Sequence, residues 1–152
     1  MANEVRILEK YGANSDGKAI RYGCATGNTI PYGTLLQGVD PHLASFAQAW
    51  SLGTSSTSGA FIGVCGREKD GTDTINEVTA LSDIMIDVKA SGAITAFRKV
   101  LCAGNNEVKM WSPTAVSGAT ASEAMFLVDA MMVGISQETA ADGEIIRVRV
   151  NK

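Results

Sequence analysis

Histidine is almost missing from this chain: His42 is the only one in 152 residues. Acid–base and nucleophilic catalysis need an activated group beside a positioned partner, and histidine fills that role most often. His42 follows Pro41 in an expected loop, and no Gly-x-Ser-x-Gly elbow occurs anywhere, so it reads as an exposed loop residue. A triad is defined in space, so a single histidine does not formally exclude one. Cysteine is also scarce. Cys24, Cys65 and Cys102 stand far apart, odd in number and without a Cys-x-x-Cys pair. That excludes a disulfide framework or zinc cluster as the expectation and leaves buried, inert thiols.

Basic clusters are missing as well. Beyond Arg98-Lys99 and the alternating Arg147 and Arg149 there is none, and the net charge is −3. Nucleic-acid binding rests on phosphate neutralisation by such clusters, so nucleic acid is not an expected partner. No apolar run approaches the roughly 18–20 residues of a membrane helix. The longest, 124–135, is interrupted by Asp129 and Gly134. Met1-Ala2-Asn3-Glu4 has no basic or apolar leader character, so no membrane contact and no secretory signal are expected, and folding in a cytosol is.

Cofactor motifs fail on spacing. Gly23-Cys24-Ala25-Thr26-Gly27 lacks the third glycine and the following helix of a dinucleotide turn, and 12–17 lacks the ending of a phosphate loop. Asp70-Gly71-Thr72-Asp73, flanked by Glu68 and Glu77, does not match a calcium loop and reads as an Asp-rich turn. No catalytic residue, metal or cofactor is expected, and the chain is read as a non-enzyme.

What is present is glycine, short β-type runs and an ordinary globular balance of 45% hydrophobic and 19% charged residues. A chain this long can bury roughly 68–70% of its unfolded surface as one domain. Ile145-Ile146-Arg147-Val148-Arg149-Val150 alternates with period two, placing Ile146, Val148 and Val150 inward and both arginines outward. Ile84, Ile86 and Val88 share one face of a second strand; 74–79 and 108–111 read as strands too. Asp16-Gly17, Asp70-Gly71 and Asp142-Gly143 suit tight turns between them. One wet face per strand argues for antiparallel sheet. Residues 41–52, with Leu43, Phe46, Ala47 and Trp50 at helical spacing, could form a short helix, and 124–135 reads as a strand. The first 18 residues lack periodicity and read as an extended arm ahead of a single β domain at 19–152.

The chain also echoes itself. Phe61-Ile62-Gly63-Val64 with Glu68 and Asp70-Gly71 resembles Met132-Val133-Gly134-Ile135 with Glu138 and Asp142-Gly143. Upstream, Ala25-Thr26-Gly27, Ile30 and Leu35-Leu36 parallel Ala90-Ser91-Gly92, Ile94 and Val100-Leu101. The alternatives are chance likeness between glycine-rich strands, or two β-meanders that cannot bury their apolar faces alone and close on each other. The expected fold is all-β: a compact barrel or sandwich of about eight to nine short, mainly antiparallel strands.

Three passages resemble the capsid decoration (cement) proteins of tailed bacteriophages. They are Ala25 to Leu36 with its Ile-Pro-x-Gly-Thr-Leu-Leu run, Ala60 to Val64 with Glu68 and the strand ending near Val88, and Glu138 to Val150. The resemblance implies a structural protein on the outer surface of a virion, made in the host cytoplasm and bound as a trimer to major capsid protein. It also implies that the N-terminal arm makes the contacts, here Val5, Arg6, Ile7, Leu8 and Tyr11. A carbohydrate-binding or adhesin-like module is the alternative, with Trp50 and Trp111 as stacking platforms. An enzyme using Glu68 and Glu138 as a carboxylate pair is the third reading.

Overall fold

A computed structural model describes residues 5–10, 18–39, 43–46, 60–112 and 130–151. Among these the chain is nearly all-β, with eleven strands: β1 (Arg6–Lys10), β2 (Lys18–Cys24), β3 (Leu35–Val39), β4 (Leu43–Phe46), β5 (Phe61–Cys65), β6 (Glu77–Ser82), β7 (Ile84–Ala90), β8 (Lys99–Gly104), β9 (Glu107–Met110), β10 (Met132–Ser136) and β11 (Ile145–Val150).

The strands close into two barrels of the same topology. In the first, the wall runs β2-β4-β3-β5-β6 and β6 returns to β2. In the second it runs β7-β9-β8-β10-β11, with β11 returning to β7. Each barrel is antiparallel except for one short parallel seam, Gly23↔Leu43 and Cys24↔Ala44 in the first, Lys89↔Glu107 and Ala90↔Val108 in the second. Paired lone bridges repeat as well: Ile30↔Lys69 and Ile94↔Ala140. The internal echo is therefore a structural repeat. Each half closes on itself, where the sequence had suggested halves that close only on each other; the parallel seam removes the open edges that would have required it.

Gly63 and Gly134 mark the repeat most sharply. A Cβ at Gly63 would lie 2.7 Å from the Leu81 carbonyl oxygen, and one at Gly134 would strike that of Arg149. Both glycines allow a neighbouring strand to cross closely.

A single residue, Asp83 at φ 53°, links β6 to β7 and so joins the barrels. The interior of the first barrel holds Cys24, Ile30, Leu36, Ala44, Cys65, Val78 and Ala80. Leu35, Phe61, Val64 and Leu81 point the other way from the same wall and merge with the core of the second barrel, beside Ile84, Ile86 and Val88. That wall is buried on both faces, which is why β5 reads as a near-continuous apolar run. One polar clip crosses the junction: the Leu35 N–H donates to Asn106 Oδ1 at 2.8 Å.

Two local expectations are corrected. Leu43–Phe46 is a strand, not part of a helix, because β4 must bridge β2 and β3 to close the barrel. In the 124–135 stretch, Ala130 and Met131 are helical and the strand starts at Met132; 124–129 lie outside the described residues. Within the N-terminal stretch read as an extended arm, residues 6–10 form an extended strand, β1, on β7. β9 pairs only Lys89 and Ala90 of that β7 edge, so β1 fills the stretch from Ile84 to Asp87.

Candidate functional site

The N-terminal contact residues divide sharply. Val5 is buried at 2% exposure within the second core, with its carbonyl backing onto Gly33. Ile7 packs partly buried against the same core, and Arg6 is exposed opposite Asp87. Leu8 belongs to β1 by its backbone, and Tyr11 lies outside the described residues, as do His42 and Trp50. The segment therefore leaves Arg6 exposed and keeps Val5 for the fold.

Glu68 and Glu138 follow β5 and β10 on different barrels, and both are exposed. The Glu138 carboxylate lies 3.8 Å from Arg147 Nε, which also reaches Asp87 at 3.5 Å. Each glutamate belongs to a turn held by its own repeat. In the first, the Asp70 carboxylate accepts from the Thr72 N–H and hydroxyl, at 2.9 and 3.0 Å. Those bonds hold the Asp70 carboxyl below its ordinary range. In the second, Glu144 Oε2 accepts from the Ala141 N–H at 2.7 Å, the counterpart of Asp73 Oδ2 and the Asp70 N–H at 3.1 Å. The Asp70 to Asp73 carboxylates are thus engaged in closing their turn. Among the described residues no cluster of three His, Cys, Asp or Glu side chains could hold a metal.

Among the described residues, Lys69 is a charged residue buried at the turn end of the first barrel. Its ammonium donates to the carbonyls of Asn28 and Asp70, at 3.1 and 3.0 Å, and so ties two turns together. Burial raises the thiol pKa of Cys24 and of Cys65, keeping them protonated in the core.

Surface depressions lie on both barrels among the described residues. One, of about 320 Å³, lies on the first barrel between Arg21, Arg67, Glu68, Ile75 and Glu77. The other, of about 570 Å³, lies on the second between Phe97, Arg98, Lys99, Met110 and Trp111. Phe97 went unnoticed in the sequence, although the repeat aligns it with Gly33 once Ile94 is set on Ile30. Trp111 packs partly against the second core, and its indole Nε1 is buried without an acceptor among the described residues.

No protein-family model matches the chain, and no curated protein matches it. Among solved structures it is similar to the N base of head fiber gp8.5 in bacteriophage phi29, at 13% identity and a TM-score of 0.48. That alignment covers 88% of this chain and 95% of the other.

Proposed function

We propose that this chain is a structural protein of a phage virion that decorates the capsid, binding the outer surface of major capsid subunits and stabilising the shell. The observation that carries the reading is where the decoration-protein passages fall. Ala25 to Leu36 supplies the turn and bridge that lead into β3, Ala60 to Val88 supplies β5 to β7, and Glu138 to Val150 supplies the equivalent turn and β11. The likeness thus falls on equivalent turns and on strands of both barrels, which supports a shared scaffold over chance similarity of isolated motifs. A rigid pair of barrels with exposed turns suits binding in many copies, where affinity comes from multivalency. A trimer with the exposed Arg6 at the capsid is part of the same proposal.

The test is co-sedimentation of the purified chain with expanded, undecorated capsids of its own phage. Saturable binding at a fixed ratio to capsid subunits supports the reading, and Arg6→Glu weakens that binding. A chain that stays in the supernatant at all concentrations rules it out.

A further inference from the structure

Phe97 is the least economical residue on the surface. The residue is 74% exposed, and its backbone sits at φ 59°, a left-handed conformation that aromatic residues rarely adopt. The first barrel shows what this turn prefers, for there the position belongs to Gly33 at φ 77°. The two are matched bond for bond: the Gly33 N–H donates to the Cys65 carbonyl at 2.8 Å, and the Phe97 N–H to the Ser136 carbonyl at 2.8 Å. Ser136 then locks the turn from both sides. Its hydroxyl donates to the Thr95 carbonyl at 2.8 Å and accepts from the Arg98 N–H at 3.1 Å. A strained residue held this firmly, with a ring that folding does not bury, points to function.

The surroundings describe what would cover the ring. Phe97, Met110 and Trp111 form an apolar floor, Arg98 is exposed beside it, and no described residue lining the depression is acidic. The complement is an apolar knob beside a carboxylate, and the first barrel carries one. Ile75 is 64% exposed in the turn before β6, and the exposed Glu77 lies two residues on. The stretch from Glu68 to Glu77 holds four acidic residues against one lysine, and that lysine is the buried Lys69. Arg21 on β2 and Arg67 just after β5 border the groove, and the acidic residues lie along the 68–77 stretch itself.

We propose that the Phe97 face is a self-association surface that takes the Ile75 turn of a second copy, Phe97 against Ile75 and Arg98 against Glu77. The two halves of the contact sit on different barrels, so it is heterologous: it closes into a ring or continues as a chain of copies. The proposal does not rest on capsid binding, and of the reading above it bears only on the trimer.

Sedimentation velocity of the full chain over a wide concentration range tests it. The wild type shows larger species as concentration rises. Phe97→Gly and Ile75→Ser each weaken association by ~30-fold or more, the effect of removing a hot-spot residue. Phe97→Gly does so without lowering Tm, whereas a purely structural phenylalanine would cost thermal stability. Arg98→Glu and Glu77→Lys, both at exposed positions, each stay dissociated alone and associate when mixed in equal amounts. A wild type that is monomeric throughout, a Phe97→Gly chain that associates like the wild type, or charge-reversed chains that fail to associate on mixing would each overturn the proposal. If Phe97→Gly does not fold, the mixing result decides alone.

Discussion

Phe97 stands in the second barrel where Gly33 stands in the first, on the same backbone bond to the strand beside it and in the same left-handed conformation. The two positions should respond oppositely to substitution. Gly33→Ala places a Cβ against the Val5 carbonyl and strains φ, so a loss of about 2–4 kcal/mol is expected. Phe97→Gly relieves strain of roughly 1 kcal/mol or more, while glycine's greater freedom in the unfolded chain offsets a comparable amount. Chemical denaturation of both variants checks the contrast: a large fall in midpoint for the first, and none for the second.

Asn106 clips the barrels through the Leu35 N–H, at a buried position with φ 59°. Asn106→Gly keeps the turn and removes the acceptor, leaving a buried donor unpaired at a cost of about 1–3 kcal/mol. Amide hydrogen exchange is expected to speed up at Leu35. Exchange unchanged from the wild type would show that the clip does not hold the junction.

Gly134 is the tightest crossing in the second barrel, and its counterpart Gly63 is less tight. Alanine at either site forces β10 from β11 or β5 from β6, and Gly134→Ala is expected to be the more damaging, by about 3 kcal/mol or more. Thermal melts of the pair give the order, and equal losses would contradict it.

The Asp70 carboxylate titrates below its ordinary value of 3.8 because the Thr72 N–H and hydroxyl bond its charged form. A depressed folded-state value means that its contribution is present above pH 3.8 and is lost as the pH falls from there through the lower, folded value. The group is exposed, so the effect is confined to the 70–73 turn. NMR titration of the Thr72 amide is expected to report it, and Asp70→Asn removes the transition.

How much of this was legible depended on range. β11 was plain because Ile146, Val148 and Val150 alternate with exposed arginines, and local alternation is what a half-buried strand imposes. The repeat was legible in Gly63 and Gly134, where a close crossing excludes every side chain. β4 was hidden, since Leu43 and Phe46 fit a helical period equally well and only the distant pairing with Cys24 decides. β1 was hidden for the same reason: its partner is an edge of β7 far along the chain. Of the expected contact residues, Val5 reads like any arm residue until the second core closes over it. Phe97 carries no local signal at all, because φ is not written in residue type; its strangeness appears only beside Gly33.

The central claim, that this double barrel is a capsid-surface protein, is tested most directly by cryo-electron microscopy of expanded, undecorated capsids incubated with the purified chain. The account predicts ordered density of two joined barrels on the outer surface, in contact with major capsid subunits at symmetry-related sites. A bare outer surface at saturating protein would contradict it.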